Sequence, residues 1–506
     1  MTEGEPVEKK RRGTPYLSKS RFTNGVQCLK WVYLGSYHPD LADQVGETQQ
    51  AVFQTGTDVG TLARKLFAGG VLVEAPAFRF NDALKQTARA LKDASVAAMF
   101  EPAFEYEDIH LRVDILVKAA GGAFDLIEVK SSSQVKDEHI PDAAVQCYVL
   151  EGCGLKLGRL CIAHLNRDYV YPGGEYDLTE LIAVEDATAR VREYLPGVPA
   201  LLEEMRRVLG ETKPPPVDVG RQCTNPYACA FFRHCHDGLP EHHILQLPRA
   251  SASLLASLRA AGIEDIRQIP ADFPGLNAVQ KLVRDVVVSG ECHIDDELPS
   301  ELGKLKYPVH FLDFETFNPA LPLYAGTRPY QIIPFQWSDH VLERKGQIRH
   351  EEYLHDGDDD PRRQFAESML AALGTRGSVV VYSGFEVSRI KELALALPDL
   401  SPALAKVQTR VVDLLELVRK YCYHPLFHGS FSIKSVLPAL IKSLSYDDLE
   451  IQEGGTASLA YSELINPSVS VERKAAIRRD LLAYCARDTE AEMELVGYFQ
   501  TQTRNP

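Results

Sequence analysis

Three cysteines near the middle of the chain have the spacing of a metal or cluster site. Cys223, Cys229 and Cys235 follow one another with five residues between them in CTNPYACAFFRHC. Thiolates bind iron–sulfur clusters and zinc, usually as sets of four ligands, so this segment lacks one ligand. Structural zinc sites usually pair ligands two to four residues apart, which favours a cluster. His234 and His236 keep a mixed zinc site open as the alternative.

A second group of reactive residues belongs to a hairpin. In IHLRVDILVKAAGGAFDLIEVKS, two strand-like runs flank the loop 120–122, and counting outward from it pairs Asp114 with Glu128. Alternation along the strand then directs Lys130 to the same face as Glu128. Carboxylates that hold Mg²⁺ and a lysine that stabilises charge on a phosphate are what a metal-dependent phosphodiesterase needs. The alternative is a surface hairpin with ordinary charges.

A third group lies toward the C-terminus. Asp313 and Glu315 are two positions apart in the strand-like run YPVHFLDFETF, so both carboxylates face the same side. Glu386 lies where a strand-like run meets a helix in VVVYSGFEVSRIKELA. Tyr484 and Asp488, four residues apart in a helical segment, share one helix face.

Breaks in the chain indicate how these groups are separated. The prolines of 213–216 end a helical stretch at about 184–209, and 297–308 is a polar linker before the strand HFLDF. Between these breaks, 247–287 predicts short helices around a turn at 262–263. This pattern resembles a helix-hairpin-helix element, which binds phosphates through backbone N–H groups. A purely structural connector is the alternative.

Length and composition are typical of a multidomain globular protein. With 506 residues, 45% of them hydrophobic and 25% charged, the chain predicts about three domains. No apolar run is long enough for a membrane span, and the polar N-terminus lacks a secretory signal. We therefore expect a cytoplasmic protein with no membrane association and with reduced thiols.

The charge distribution limits how nucleic acid could bind. A net charge of −15 excludes a uniformly basic binding surface but not local basic patches or carboxylate-rich metal sites. The basic run KKRR at 9–12 is one such patch, with Lys19, Arg21 and Lys30 after it. For residues 1–15 we expect a disordered basic tail.

The segment after the hairpin connects the first carboxylate group to a family. With Gln146 in the predicted helix DEHIPDAAVQCYVLEG at 137–152, the chain over 16–240 resembles the PD-(D/E)XK nucleases of the RecB type. The resemblance implies a restriction-endonuclease-like domain in which Asp114 and Glu128 bind metal, Lys130 stabilises the transition state and Gln146 belongs to the site.

The chain departs from this family at two points. The segment 51–67 resembles the helix that opens the domain, but it lacks the histidine that often binds metal there. Glu101 or Glu105 is the candidate substitute. Tyr148 follows Gln146 by two residues, whereas the family usually has a tyrosine four residues on.

The same resemblance supplies a partner for the three cysteines. Some RecB-like nucleases, such as AddB and the CRISPR adaptation nuclease of the Cas-four type, hold a [4Fe–4S] cluster with one N-terminal and three C-terminal cysteines. YLSKSRFTNGVQCLKWVYLG at 16–35 resembles the N-terminal piece, which implies that Cys28 is the fourth ligand. The six other cysteines have no ligand spacing, and we expect buried small side chains at 147, 153, 161, 292, 422 and 485.

The third group resembles the DEDD exonucleases of the DnaQ type over 305–506. That family implies a ribonuclease-H-like fold in which Asp313, Glu315, Glu386 and Asp488 hold two metal ions and Tyr484 orients water. SFSIKSVLPAL at 430–440 also resembles a family segment. The third carboxylate is normally aspartate, so Glu386 departs from the pattern. Asp413 is a further candidate, although a structural end-of-strand role is the simpler interpretation, and a degenerate domain that only binds nucleic acid is the alternative.

Together these patterns predict an α/β multidomain protein. We expect a PD-(D/E)XK domain at 16–240, a helix-hairpin-helix-like connector at 241–296 and a DnaQ-like domain at 305–506, a fusion that resembles an uncharacterised bacterial group. The predicted activity is a Mg²⁺- or Mn²⁺-dependent nuclease acting on DNA, from ends or on single strands. A noncatalytic nucleic-acid-binding or assembly protein and an RNA-processing exoribonuclease are the alternatives.

Overall fold

The computed structural model describes residues 15–502, except the side chain of Ala77. The predicted tail, apart from its last residue, lies outside this range. The chain divides into two compact units, Met1–Asp237 with Ala320–Tyr330, and Gly238–Pro319 with Gln331–Pro506. Both combine helices with sheets, so the predicted α/β multidomain class is confirmed. The predicted connector falls within the second unit.

The first unit consists of short strands and helices that alternate along the chain. Its strands are β1 (Leu17–Ser18), β2 (Gly70–Leu72), β3 (Ala98–Phe100), β4 (Ala103–Tyr106), β5 (Ile109–Arg112), β6 (Ile115–Lys118), β7 (Phe124–Val129), β8 (Leu157–Leu165) and β9 (Ile182–Asp186). Its helices are α1 (Lys19–Gln27), α2 (Leu29–Tyr37), α3 (Glu47–Arg64), α4 (Phe80–Lys92), α5 (His139–Gly152), α6 (Leu178–Leu181), α7 (Thr188–Tyr194), α8 (Val198–Gly210) and α9 (Phe232–His236).

The central sheet of this unit has the strand order β2-β3-β6-β7-β8-β9, and a smaller sheet has the order β1-β5-β4. Strands β6 and β7 form the predicted hairpin, with Ile115 facing Ile127 and Lys118 facing Phe124. The loop between them uses Gly121 in the left-handed region at φ 69°, which glycine adopts without steric cost. Strand β8 runs parallel to β7 after the crossover helix α5.

Helix α5 is buried along most of its length, because it packs between the sheet and helices α1, α7 and α8. This packing is what holds polar side chains of α5 against the hairpin. Two other predicted helices are present, since α3 covers most of 51–67 and α5 most of 137–152. The helical stretch predicted at about 184–209 is present from Thr188 onward, because β9 continues to Asp186. The stretch is divided into α7 and α8 by a single 3₁₀ turn, Leu195–Gly197, where Pro196 removes a backbone donor.

The second unit contains ten helices and seven strands in the described part of the chain. Its strands are β10 (His293–Ile294), β11 (Val309–Phe317), β12 (Ile333–Leu342), β13 (Ile348–Leu354), β14 (Ser378–Val381), β15 (Val411–Asp413) and β16 (Cys422–Tyr423). Its helices are α10 (Ala252–Ala260), α11 (Ala278–Ser289), α12 (Glu297–Leu302), α13 (Arg362–Leu373), α14 (Gly384–Ala396), α15 (Ser401–Gln408), α16 (Leu414–Tyr421), α17 (Ile433–Leu440), α18 (Gly454–Leu464) and α19 (Val471–Thr501).

The main sheet of the second unit is mixed, with the order β13-β12-β11-β14-β15. Strands β11, β12 and β13 form an antiparallel meander, and β14 and β15 run parallel to β11. The long helix α19 packs on β11 and β12. The central strand β11, its neighbour β14 and this helix therefore bring three distant parts of the sequence together.

The predicted hairpin of helices around Gly262 forms only in part. Helix α10 ends before Gly262, which has a positive φ of 72°, but only the 3₁₀ turn Ile266–Gln268 follows it. Pro270 and Pro274 interrupt the chain before α11 begins, so no second α-helix adjoins the turn.

A segment between β11 and β12, Ala320–Tyr330, belongs to the first unit. The backbone N–H of Gly326 donates to the carbonyl of Tyr171 at 2.7 Å, and the N–H of Tyr171 donates to the carbonyl of Thr327 at 2.9 Å. Leu321 packs against the apolar cluster around β7 and β8.

None of the described helices combines the length and apolar character that crossing a bilayer requires.

Candidate active sites

The first candidate site lies at the end of the β6–β7 hairpin. Asp114 immediately precedes β6, Glu128 is on β7, and Lys130 follows that strand. The N–H of Val129 donates to Asp114 Oδ2 at 2.8 Å, which fixes the Asp114 carboxylate across the hairpin. Lys130 Nζ is 2.8 Å from Glu128 Oε1, and Gln146 on α5 donates to Glu128 Oε2 at 2.7 Å. The structure thus brings the four residues of the predicted group together.

Two residues of this site were missed from the sequence. Lys19, in the first turn of α1, lies 3.3 Å from Asp114 Oδ1 and 3.1 Å from Glu128 Oε1 through its Nζ. Asp142, one turn before Gln146 on α5, forms an ion pair with Lys130. The spacing of four residues on one helix was a usable signal for Asp142. Lys19 is too far away in sequence for any local pattern to connect it to the hairpin.

Burial and neighbouring charges shift the pKa values of Asp114 and Glu128 in opposite directions. Glu128 is 1% exposed, and although burial opposes its ionisation, Lys130 and Lys19 hold the pKa of Glu128 well below its usual value. Burial and the charge of Glu128 raise the pKa of Asp114 to about 7. The pair therefore holds an ionised and an easily protonated carboxylate next to each other, as paired acids in a restricted space do.

The donor set fits a divalent ion. The ammonium group of Lys19 lies between carboxylate oxygens of Asp114 and Glu128, so the two side chains converge on a position that a cation occupies. Carboxylate oxygens are the ligands that Mg²⁺ and Mn²⁺ prefer. Of the two candidate substitutes for the missing histidine, Glu101 lines the same cleft as Asp114 but is paired with Arg64 at 2.8 Å. Glu105 is on β4 and does not line this cleft.

The cleft leading to this site is wide, with a volume of about 660 Å³. One wall is a stack of three rings, in which the centroid of His110 lies 4.4 Å from that of Tyr16 and 4.5 Å from that of Phe80. Arg79 and Arg112 add positive charge to the lining. Tyr148 lies elsewhere, because its hydroxyl donates to Glu107 at 2.9 Å.

The predicted ligands of the cluster line one cavity, although Cys28 is distant in sequence from Cys223, Cys229 and Cys235. Cys28 lies at the junction of α1 and α2. Next to it, the side-chain amide of Gln27 donates to the carbonyl of Gln222 at 2.6 Å and to that of Tyr227 at 2.7 Å. The N-terminal cysteine is thus held against the C-terminal cysteine segment by direct hydrogen bonds.

The spacing of these thiols bears on which metal they fit. In the described part of the chain, no three of the four sulfur atoms lie within 4.8 Å of one another. A tetrahedral zinc site, with Zn–S bonds of about 2.3 Å, needs sulfur atoms about 3.8 Å apart. A [4Fe–4S] cluster separates its ligands further, because each thiolate binds a different iron atom.

Backbone donors already face two of these sulfur atoms. The N–H of Gly220 lies 3.5 Å from Cys223 Sγ, and that of Phe231 lies 3.4 Å from Cys229 Sγ. Hydrogen bonds of this kind stabilise negative charge on a thiolate. Without an ion, burial raises the pKa of the Cys229 thiol to about 11. Deprotonation is therefore expected to accompany metal binding.

The other cysteines differ in part from the expectation of burial. Cys147, Cys161, Cys422 and Cys485 are buried. The prediction was wrong for Cys153, which is exposed because it follows the last residue of α5, and Cys292 is only partly buried.

The second candidate site lies between β11, α14 and α19. Asp313 and Glu315 are on β11, Glu386 is in the first turn of α14, and Tyr484 and Asp488 are on α19. All five side chains line one cavity of about 310 Å³. The predicted group is therefore brought together from three segments of the chain.

Four further residues complete this site. Cys485 Sγ lies 3.6 Å from Asp313 Oδ2, and its sulfur forms a compact ligand group with Asp313 and Glu315. The hydroxyl of Tyr446 donates to Asp488 Oδ1 at 2.5 Å. The other two, Lys434 and Glu492, line the cavity. In the sequence, Glu492 had the signal of helical spacing, four residues after Asp488, and Lys434 lies in the segment 430–440 that resembles a family segment.

Lys434 is the cation of this site. Its Nζ donates to the hydroxyl of Tyr484 at 3.0 Å and lies over the rings of Tyr446 and Tyr484. It lies in the segment 430–440, at the start of α17. Its charge favours ionisation of Glu315 and Asp488.

Burial is the main cause of the unusual acidities in this cavity. It raises the pKa of Asp313 and Glu315 well above their usual values, and the charge of Asp488 adds to the shift of both. Burial likewise raises the pKa of Asp488 to about 6, and burial with Asp413 raises that of Glu386 to about 8. Closely spaced carboxylates that resist ionisation are stabilised by bound cations, so this donor set fits Mg²⁺ or Mn²⁺.

Asp413 has a structural role in the described contacts. Its side chain accepts a hydrogen bond from the N–H of Glu416 at 3.0 Å and caps helix α16. Glu386, in contrast, has one buried carboxylate oxygen, Oε2, with no hydrogen-bond partner among the described residues. The available ligand is therefore Glu386.

Comparison with known families adds one match. The model of a family described as a domain of unknown function (DUF2779) matches residues 310–432. The matched part contains Asp313, Glu315 and Glu386 but ends before helix α19, which carries Tyr484 and Asp488. No curated protein matches the chain.

Proposed function

We propose that the protein is a Mg²⁺- or Mn²⁺-dependent nuclease that hydrolyses phosphodiester bonds in DNA, with a PD-(D/E)XK domain followed by a ribonuclease-H-like domain. The observation that carries the proposal is the convergence of four carboxylates, three of them buried and Asp313 partly buried, and one tyrosine on one cavity between β11, α14 and α19. A mixed sheet with an antiparallel meander and two added parallel strands is compatible with the second fold.

In the second unit, each side chain has a distinct task. Asp313, Glu315, Glu386 and Asp488 would hold the divalent ions, and Tyr446 fixes the carboxylate of Asp488 through its hydroxyl. Tyr484 orients the attacking water, and Lys434 orients Tyr484. Bound ions of this kind activate water and stabilise the leaving oxygen.

In the first unit, Asp114 and Glu128 would hold a divalent ion of the same chemistry. Gln146 orients Glu128 by donating to Oε2, and Lys130 contacts Oε1. The cation position held by Lys19 Nζ lies 3.1 Å from both oxygens. Lys130 stabilises negative charge that develops on the phosphate. Asp142 keeps the Lys130 ammonium in place through their ion pair.

The four clustered cysteines support a structural [4Fe–4S] group, with zinc as the alternative. Cys28, Cys223, Cys229 and Cys235 would hold it, and the separation of their sulfur atoms favours the cluster. Its part would be to join the N-terminal helices to the end of the first unit.

Features of the first cleft favour a single-stranded or end-directed substrate. The net charge of −15 confines nucleic-acid binding to local surfaces. The cleft beside Asp114 combines two arginines with stacked aromatic rings, and single strands bind such surfaces through phosphate attraction and base stacking. Phosphate attraction and base stacking serve DNA and RNA alike, so the assay below includes both polymers.

The test is a nuclease assay on end-labelled single- and double-stranded DNA and RNA, with Mg²⁺ or Mn²⁺. We expect Glu128→Gln to remove the cleavage activity of the first unit and Asp313→Asn that of the second. In the double variant, the total cleavage rate should fall at least about a hundredfold. Glu193→Gln, an exposed change on α7, is the matched control.

Other outcomes of the assay have clear meanings. Cleavage of RNA alone would make the protein an exoribonuclease. Wild-type activity in the double variant would refute the assigned sites. If the metal-loaded wild type cuts nothing but binds single strands, the protein is a binding module.

A further inference from the structure

Glu492 is the one acidic side chain of the second cavity that the sequence did not assign to the site. It is 1% exposed and lies two helical turns after Tyr484 and one turn after Asp488, on the same face of α19. Its carboxylate lines the cavity that Asp313 and Glu386 also line. A glutamate buried to this extent normally has a cationic or hydrogen-bonding partner.

No such partner is present in the described part of the chain. Both oxygens of Glu492, Oε1 and Oε2, are buried without a hydrogen bond. The backbone amide of Tyr382 is near enough to favour the ionised form but is not in hydrogen-bond geometry. An unpaired buried carboxylate is costly, by about 1–3 kcal/mol or more. The structure around Glu492 therefore lacks a group that would satisfy it.

The charged groups with the largest effect on Glu492 are acidic. Asp313, Glu386 and Asp488 are the charged residues whose repulsion, after burial, raises its pKa. Lys434 serves another part of the cavity, beside Tyr484. Among residues 15–502, no ion pair joins a lysine or arginine to Asp313, Glu386 or Glu492. This side of the cavity thus has three carboxylates and no cation from the protein.

We propose that Glu492 is a fifth carboxylate ligand of this site and that it shares a divalent ion with Glu386. The proposal rests on the proposed metal-dependent function and deepens it. The five carboxylates and Lys434 carry a net charge of −4 when ionised, and two divalent ions balance this charge. Four carboxylates with the same lysine carry a net charge of −3, which leaves one positive charge of the two ions unbalanced.

The proposal also accounts for glutamate at position 386. A longer side chain at this position moves its carboxylate by about one methylene relative to aspartate, which a two-metal site tolerates poorly. Glu386 Oε2 and both oxygens of Glu492 are unpartnered in the same cavity. An ion shared by Glu386 and Glu492 satisfies these oxygens and uses the added length.

The test measures Mn²⁺ binding by the full chain in the absence of nucleic acid. Calorimetry and electron paramagnetic resonance are the two readouts. A Glu128→Gln background silences the first unit, so that the ions counted belong to the second. We expect this background to bind two Mn²⁺ ions, and the added change Glu492→Gln to abolish one of them or weaken it at least tenfold. Glu494→Gln, an exposed change on the same helix, should leave both ions bound.

A second variant and a melting curve distinguish the loss of a metal ligand from a failure of the variant to fold. In EDTA, Glu492→Gln should melt at or above the background temperature, because it removes a buried unpaired carboxylate, and Mn²⁺ should raise its melting temperature less. Glu492→Asp keeps the charge on a shorter side chain and should weaken the same ion. Two ions bound with unchanged affinity in both variants would overturn the role of Glu492 alone. No Mn²⁺ bound by the background would overturn the proposed function of this site as well.

Discussion

At the residue scale, Lys19 has the contacts that most directly oppose metal binding in the first unit. Its ammonium group lies between Asp114 and Glu128, where it neutralises carboxylates that a divalent ion would also neutralise. A lysine in this position keeps the metal-free site stable, since two close carboxylates otherwise repel each other. It also competes with the ion for the same oxygens.

We therefore expect Lys19→Met to bind Mn²⁺ about tenfold more tightly at the first site, which corresponds to about 1.4 kcal/mol. The same variant should be less stable than wild type in EDTA. Calorimetry in an Asp313→Asn background measures the affinity, and Lys85→Met, an exposed change on α4, is the control. Weaker Mn²⁺ binding in Lys19→Met would mean that the lysine supports the ion.

The pKa of Glu386 gives a second prediction at this scale. Burial raises it to about 8 in the folded protein, from a usual value of 4.5. Between these values the folded state keeps a proton that the unfolded state releases. The stability associated with this proton is present at low pH and is lost as the pH rises toward 8.

In EDTA, Glu386→Gln should therefore gain stability over wild type between about pH 5 and pH 8, by on the order of 2 kcal/mol at the upper end. Urea unfolding at several pH values measures the difference, and Glu494→Gln is the control. Saturating Mn²⁺ should reverse the order, because wild type alone keeps the ligand. A difference that does not change with pH would contradict the assigned pKa.

The residues that the sequence predicted and those that it missed differ in how they reach the sites. Asp114 and Glu128 follow from the geometry of one hairpin, and Tyr484 and Asp488 from one helical turn. Lys19, like Lys434 and Tyr446 in the other unit, comes from a distant segment and contacts the site only after tertiary packing, so no local period reveals it. The family resemblances remain predictions, because the matched family model covers 310–432 alone.

At the scale of elements, the cysteine cavity joins α1 and α2 to α9. Its N-terminal side contributes Cys28, and the amide of Gln27 beside it donates to two carbonyls of the cysteine segment. Spacing alone predicted the three later cysteines, and only the resemblance predicted the first. The sequence indicated one helical stretch at about 184–209 but not the 3₁₀ turn Leu195–Gly197, which contains Pro196 and divides that stretch into α7 and α8.

If Cys28 is a ligand, Cys28→Ala should lose iron as completely as Cys229→Ala. Metal analysis and visible absorption after anaerobic purification measure the loss. Cys153→Ala, which removes an exposed thiol outside the cavity, should keep the full iron content. A colourless wild type with stoichiometric zinc would reject the cluster, and a Cys28→Ala protein with full iron would exclude Cys28 from the ligands.

At the scale of the whole molecule, the division into units does not follow the order of the chain. The segment Ala320–Tyr330 lies between two strands of the second unit but packs with the first. Its Tyr330 hydroxyl donates to the carbonyl of Ser131, next to Lys130, and Leu321 packs beside β7 and β8. The sequence did not predict that this exchanged segment packs with the first unit, because a short loop-like run carries no sign of where it packs.

Residues 1–237 alone should therefore melt at a lower temperature than the same unit in the full chain. A synthetic peptide of residues 319–331, added in excess, should restore part of the loss by mass action. Differential scanning calorimetry measures both effects, and a peptide with the same composition in scrambled order is the control. Equal melting temperatures with and without the peptide would mean that the segment contributes nothing to the first unit.

The exchanged segment also limits how such a protein can change during evolution. The chain passes from one unit to the other at 237–238, 319–320 and 330–331. A recombination event between residues 237 and 238 would leave the first unit without the segment Ala320–Tyr330. That segment would remain with the complete sheet of the second unit. The two units are therefore expected to be inherited and replaced together, even if each carries a separate active site.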